Sequence, residues 1–259
     1  MVNPWNKSAR AVLRRLGIYA SKLRNAPFGV DWLSDVRFMC GDFSMATVFD
    51  VGANQGQTAL KLANEFPRAR VHSFEPVPAT YAMLEKAVRA LDTVVPVNSA
   101  IGDTIGQIEM TGEPGSGTNT VVSSGEIDNP IITVPVTTLD AYCRDNRFDS
   151  VDLLKIDTEG AELSVLRGSK SLISEGKIRA IVAECEFAHR PGQPHGSFFD
   201  IWKFLDPFGY RVCAFYSGGA DRHGWVWGDC LFIHPALCNP PVDYVVCSPY
   251  LSGCLPTRE

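Results

Sequence analysis

The stretch Val48-Phe49-Asp50-Val51-Gly52-Ala53-Asn54-Gln55-Gly56-Gln57-Thr58 constrains this chain more than any other. It opens apolar and β-branched, as a buried strand does, and turns through two glycines. It then runs into Thr58-Ala59-Leu60-Lys61-Leu62-Ala63, a helix pattern. Strand, glycine turn and helix in that order form the nucleotide-binding corner of a doubly wound α/β fold. Glycine lets the backbone pass close to a ligand with no Cβ in the way. The helix that follows presents unpaired N–H groups and a positive dipole end.

The details narrow the ligand. A dinucleotide fingerprint reads G-x-G-x-x-G, whereas this chain has Gly52-Ala53-Asn54-Gln55-Gly56, with Asp50 just before the first glycine. A carboxylate there is awkward beside a pyrophosphate and suits a cationic ligand. S-adenosylmethionine (SAM), with an amino group and a sulfonium, is such a ligand. Further on, Val71-His72-Ser73-Phe74 reads as a second strand and delivers Glu75. An acid at that place can accept both ribose hydroxyls through its two oxygens. The blander reading makes Asp50 and Glu75 ordinary turn acids.

Three segments together, the 48–56 turn, Ser73-Phe74-Glu75-Pro76 and Leu154-Lys155-Ile156-Asp157-Thr158-Glu159-Gly160, resemble the FkbM family of SAM-dependent methyltransferases. The resemblance covers residues 45–235. It implies a Rossmann-like class I methyltransferase fold, an α/β architecture with a mostly parallel seven-stranded sheet flanked by helices. It also implies O-methyl transfer to a hydroxyl of a small molecule, a sugar or a polyketide-type natural product. Asn54 stands where many methyltransferases carry glycine, a feature that FkbM-like sequences share. The cofactor set implied is Asp50, Gly52, Asn54, Gly56, Glu75, Pro76, Asp157, and Ala100 with Ile101 flanking the adenine. Asn98 and Asp103, in the same loop, are either base-edge contacts or turn formers.

Composition sets the outer limits. A net charge of −5 gives no general nucleic-acid signal. No apolar run is long enough to span a bilayer, and no signal-peptide core is visible. The eight cysteines are scattered without a C-x-x-C pair, and Cys185, Cys213 and Cys230 read as small buried thiols. A reducing, cytoplasmic setting is the expectation. Cys238, Cys247 and Cys254 lack the close pairing of a metal site.

Residues 1–44 read as an N-terminal helical extension. Lys7, Arg10, Arg14, Arg15, Lys22 and Arg24 share it with Trp5, Val12, Leu13, Leu16, Tyr19 and Leu23 at helical spacing. Three readings stand: a cap or homo-oligomer contact, a solvated charged face, or, least favoured, a helix on anionic lipid. Residues 30–44 are expected to be a connector packed on the domain, and residues 236–259 a surface tail.

Along the domain, a helix is expected from Pro78 to about Leu91 and a strand at 94–97. Residues 106–138 read as β-rich around a Gly/Ser/Thr/Asn stretch. Ser116, Thr118 and Asn119 there are either acceptor contacts or plain loop. Thr138 is a candidate helix cap. Strands at 151–156 and 178–183 deliver Lys155, Asp157, Glu159 and Glu184 to the rim where open α/β sheets bind ligands. Glu159 could equally favour a helix N-terminus, and Lys155 could pair with Asp157.

A hydroxyl is a poor nucleophile and needs a base, or a metal to lower its pKa. Asp157, Glu184, Lys155 and His189 are the catalytic candidates, while His195 and His223 follow on loops. Asp157 and Glu184 are also a candidate Mg²⁺ pair. Trp225 and Trp227, among glycines, are either an acceptor-binding wall or core packing. Two other functions stay open: a non-catalytic SAM- or nucleotide-binding pathway module, and an NAD-linked oxidoreductase, disfavoured by Asp50 and the glycine spacing.

Overall fold

The computed structural model describes residues 12, 15, 16, 28–40, 45–122, 130–188, 196–216, 218–222 and 224–237. Apart from residues 12, 15 and 16, the first 27 residues of the expected N-terminal extension lie outside the described residues, as do His189, His195, His223 and most of the 236–259 tail.

The connector expected over 30–44 contains a helix, α1 (Trp32–Cys40), whose Val36 and Cys40 enter the core. The chain then alternates: β1 (Thr47–Val51), α2 (Gln57–Glu65), β2 (Arg70–Phe74), α3 (Pro78–Val88) and β3 (Val94–Val97). A small excursion follows, β4 (Ala100–Ile101), β5 (Gly106–Thr111) and β6 (Ile131–Thr137), before α4 (Leu139–Asn146). Thr138 caps α4 by accepting from the Ala141 N–H. The chain returns through β7 (Val151–Ile156), α5 (Glu162–Arg167), α6 (Lys170–Ser174), β8 (Ile178–Glu186) and α7 (Phe198–Leu205). It closes with β9 (Arg211–Phe215), β10 (Gly219–Asp221) and β11 (Gly224–Ile233).

The main sheet runs β10-β11-β8-β7-β1-β2-β3, with β9 also on β11. The five strands from β3 to β8 are parallel, and β9, β10 and β11 pair antiparallel. The seven strands implied by the resemblance become eight, because β9 and β10 share one edge. β11 spends one side on β8 and divides the other between β9 and β10. This is a Rossmann-like α/β sheet with an antiparallel end. The β4-β6-β5 excursion forms a second, three-stranded sheet over Val77, Ala100, Met110, Val134 and Val136.

The pleat sorts the core into two layers. Val48 and Leu153 face α1, α2 and α3, meeting Val36, Leu62 and Leu84. Phe49, Leu154 and Ile156 face α4 to α7, meeting Leu139, Leu166, Ile173 and Ile201. β7 is buried at all six positions, the mark of a central parallel strand covered on both faces. Its two charges are matched: Asp152 Oδ2 accepts from the Ala46 and Thr47 N–H groups at 2.7 and 3.0 Å, and Lys155 is ion-paired.

Strand order reverses between β1 and β7. The chain leaves β1 outward to β2 and β3, then returns to β7 on the other side. At such a switch point the connections part and a crevice opens beyond the strand ends. Two contacts close its floor. The Asp157 N–H donates to Val51 O at 2.9 Å, and Gly52 turns away at φ +85°. A Cβ on Gly52 would lie 1.8 Å from Asp157 O. Gly52→Ala is therefore expected to cost about 2 kcal/mol or more of stability. Gly117→Ala, whose Cβ would meet nothing nearer than Asn54 Nδ2 at 3.6 Å, should stay within about 0.5 kcal/mol of wild type. Chemical denaturation of both variants checks this; equal losses would contradict it.

Candidate functional site

A cavity of about 390 Å³ lies over the C-terminal ends of β1, β2 and β7. Gly52, Ala53, Asn54, Gln57, Thr58, Glu75 and Pro76 form one side of it. The turn after β1 folds across β2, with the Gly52 and Ala53 N–H groups both donating to Phe74 O at 3.1 and 2.9 Å. Glu75 is held in place by its neighbours. Its Oε2 accepts from Asn54 N–H at 3.0 Å and its Oε1 from Val77 N–H at 2.9 Å. Burial pushes its carboxyl pKa up, and these two N–H groups oppose the shift. Each oxygen keeps acceptor capacity for a further donor.

Asn54 adopts the left-handed conformation, φ 47°. It lines the cavity, its Nδ2 donates to Ser116 O at 3.4 Å, and its Oδ1 is buried without a partner. Gly56, at φ 96°, leads into α2 without a side-chain cap, so the first turn at Gln57 and Thr58 opens on the cavity. Gly56 itself lies a step behind, beside Leu84. Ser99, Ala100, Ile101, Ile108, Met110 and Val121 build a mainly apolar wall. Asn98 turns out to be a brace, its amide donating to Glu75 O and Pro76 O at 2.9 and 3.0 Å. Asp103 is exposed and does not line the cavity.

Asp50 sits behind the cavity and does not line it. The pleat points it to the α1–α3 side, in register with Ser73 and Lys155. It is buried, and Ser73 Oγ donates to it at 3.5 Å. Burial pushes its pKa up to about 7, although Lys155 pulls the other way.

Asp157, Glu159 and Glu184 close the other side. Each offers a carboxylate oxygen within 4.8 Å of the other two. β8 runs to Glu186, three residues beyond its expected end, so Glu184 projects from a strand and not from a loop. Burial, then the Asp157 and Glu159 charges, push Glu184 up to about 8. Burial, then Asp157 and Glu162, push Glu159 up to about 7. Lys155 lies beneath them, 3% exposed, donating to Asp157 Oδ2 at 3.3 Å and Asp229 Oδ1 at 2.9 Å. Burial alone would lower its pKa, but the two carboxylates outweigh it and hold the ammonium charged.

Sequence reasoning did not find Asp229 or Glu162. Asp229 reaches the site only through the pairing of β11 with β8. Glu162 is buried and shapes the 157–161 turn. Its Oε1 accepts from Thr158 N–H, Thr158 Oγ and Gly160 N–H, and its Oε2 from Gly196 N–H. Its spacing after Thr158 was the available signal.

The described first part of the β5–β6 connection, residues 112–122, borders the cavity and is tied to both sides. Gln55 Nε2 donates to Gly115 O at 3.0 Å, Gly115 N–H to Thr80 Oγ1 at 2.9 Å, and Thr120 Oγ1 to Glu159 O at 3.0 Å. Ser116, Gly117 and Asn119 line the cavity. Thr118 does not, and its N–H donates to Ser116 Oγ. Trp227 lines the mouth and is 43% exposed. Trp225, 49% exposed, packs edge-on against Phe187 instead.

Comparison with known proteins adds to this geometry. The family model "Methyltransferase FkbM domain" matches residues 50–212, more than half of the chain. The 2-O-methyltransferase NoeI of Sinorhizobium fredii is 29% identical over 152 residues, 53% of this chain and 62% of that protein. The hexuronic acid methyltransferase AglP of Haloferax volcanii is 31% identical over 124 residues, 47% of this chain and 48% of that protein. The 31-O-demethyl-FK506 methyltransferase FkbM of Streptomyces tacrolimicus is 29% identical over 197 residues, 64% of this chain and 73% of that protein. The chain thus spans between 48% and 73% of the length of these three relatives. Among solved structures, Aeropyrum pernix fibrillarin with bound S-adenosyl-L-methionine is 14% identical, with a TM-score of 0.43 over 74% of this chain and 68% of that one. From the glycine turn through β9, the chain belongs to the FkbM methyltransferase family.

Proposed function

We propose that this protein is a SAM-dependent O-methyltransferase acting on a hydroxyl of a small molecule, a sugar or a polyketide-type scaffold. The observation that carries the reading is Glu75, a braced carboxylate that shares one cavity with the Gly52 turn and the open first turn of α2. The residues present suit the cofactor. Glu75 keeps acceptor capacity for two ribose hydroxyls, and the apolar Ala100 and Ile101 suit the faces of an adenine. The buried, unpartnered Asn54 Oδ1 can accept a hydrogen bond from an ammonium. Gly52, Gly56 and Pro76 shape the turn around it. SAM, when bound, supplies a methyl group on a positively charged sulfur.

The chain's own work is to orient the acceptor and take its proton. Glu184 is the proposed general base. It lines the cavity, and its raised pKa brings its proton affinity near working pH. The polar strand ends would hold the acceptor oxygen toward the methyl group that bound SAM would supply. The acceptor proton passes to a Glu184 oxygen. Asp157, fixed from below by Lys155, and Glu159 accept hydrogen bonds from the acceptor or from the cofactor's amino group. Positioning of the two reactants supplies much of the rate.

Four relatives' and family descriptions that name methyltransferases, together with these polar strand ends, favour catalysis over a binding-only module. They also favour it over an NAD-linked oxidoreductase. Among the described residues, no helix is long and apolar enough to cross a membrane.

Three outcomes are expected. Glu75→Gln should weaken SAM binding about tenfold or more in calorimetry, because hydrogen bonds to a charged group are lost; unchanged affinity would count against the ribose role. Glu184→Gln should lower kcat about 10²-fold or more while the affinity for the demethylated cofactor holds. A base must be deprotonated to act, so wild-type activity should rise with pH and level off above about 8. The variant should lose that step, and an unaltered profile would remove Glu184 from the role. The three carboxylates that offer ligand atoms could also hold Mg²⁺. Because they serve as base and hydrogen-bond acceptors in this account, activity should survive EDTA; a loss that Mg²⁺ restores would show a metal mechanism instead.

A further inference from the structure

Glu162 is 1% exposed and does not line the cavity, yet it is tied to the segments that carry Glu159 and Glu184. Its Oε1 accepts from Thr158 N–H at 2.9 Å, Thr158 Oγ1 at 3.0 Å and Gly160 N–H at 3.1 Å. The two amides lie one on each side of Glu159, so a single oxygen grips the chain around it. The grip matters because Glu159 is in the left-handed region at φ 52°, and Gly160 follows at φ 111°. A residue with a side chain adopts that conformation at a cost and needs neighbours to hold it there. Held so, Glu159 lines the cavity, and its carbonyl accepts from Thr120 Oγ1 at 3.0 Å.

The other oxygen serves the neighbouring strand. Glu162 Oε2 accepts from Gly196 N–H at 3.2 Å, and Gly196 O accepts from Glu186 N–H at 3.0 Å. Ser197 then bridges Glu186 in parallel. Glu186 ends β8, two residues beyond Glu184. The approach leaves no room for a side chain, since a Cβ on Gly196 would lie 2.8 Å from Glu162 Oε2 and 3.2 Å from Glu162 Cβ. One buried carboxylate thereby bridges the turn that carries Glu159 and the end of the strand that carries Glu184. A carboxylate suits the place because it accepts on both oxygens, and the four groups bound to it are all donors.

Given the reading of that rim as the acceptor side, with Glu184 as the base, we propose that Glu162 is a positioning residue for methyl transfer, its carboxylate setting how far Glu159 stands from Glu184. Glu162 acts through the backbone on either side of it and not on the reacting atoms. Glutamine at this place can accept on one side only, because its NH2 would face donors on the other. The bridge then breaks at the turn or at Gly196, and the two acids move apart. Gly196→Ala breaks it from the opposite side, crowding Oε2 while the carboxylate stays.

The test uses the full chain, with S-adenosylhomocysteine as the probe. Calorimetry on the wild type comes first; no binding there would overturn the methyltransferase reading, and with it the acceptor role given to this rim. E162Q and G196A should bind the probe within about threefold of wild type, because Glu75 and the Gly52 turn are untouched. In NMR of the loaded E162Q protein, amide exchange protection should fall about tenfold or more at Gly196, or at Thr158 and Gly160. The carboxyl-carbon signals of Glu159 and Glu184 should shift in both variants. Y210F is the structural control: it loses the buried hydrogen bond to Ile178 O at the far end of β8 and should leave those signals in place. In crystals of loaded E162Q, the oxygens of Asp157, Glu159 and Glu184 should no longer all lie within 4.8 Å of one another. Retained probe affinity with unmoved signals and unchanged spacing would overturn the inference and leave the cofactor result standing. Shifts of equal size in Y210F, or loss of probe binding in both E162Q and G196A, would reduce Glu162 to a general structural residue and overturn it too.

Discussion

The structure depends on one close approach. Where β1 and β7 part at the reversal of strand order, the backbone after Val51 passes so near Asp157 O that only a glycine fits. That contact joins the turn after β1 to the acid-bearing end of β7. The left-handed turn at Gly52 also sets the path to Asn54, whose N–H orients Glu75. One steric constraint in the middle of the sheet thereby fixes groups on three strands.

Around that point the charges are unevenly divided. Lys155 is fully engaged from below, and Asp50, Asp157 and Asp229 lie around it. Above it, Asp157, Glu159 and Glu184 face the cavity. Crowding and burial raise two of these carboxyls toward neutrality. Such a site favours positive charge and proton transfer, which is what transfer of a cationic methyl group to a hydroxyl requires. Asp50 contributes from behind the floor, as part of the field around Lys155 and without direct contact with the cavity.

Much of this was legible in the chain. The strand–glycine–helix order at 48–58 located the corner, and the acid after the second strand located Glu75. The apolar runs at 151–156 and 178–183 placed Asp157 and Glu184 on the same rim. Local patterns carry that information because each element is nearly complete in a dozen residues. What escaped was long-range. Asp229 reaches Lys155 from 74 positions away through strand pairing. Asp50 looked like a ligand contact because it is close in sequence to Gly52. The pleat turns it to the opposite side, a matter of parity that spacing to a glycine does not reveal. The extra strand arose because β11 is long enough to hold two partners end to end along one side. Asn98 read as a base contact or a turn former; it braces the Glu75 turn through two backbone carbonyls.

A crystal structure with S-adenosylhomocysteine tests the whole account most directly. The ribose hydroxyls should lie on Glu75, the adenine between Ala100, Ile101 and the β5 wall, and the sulfur should face the side formed by Asp157 and Glu184. A ligand bound elsewhere, or an adenosyl group whose sulfur points away from those carboxylates, would contradict it.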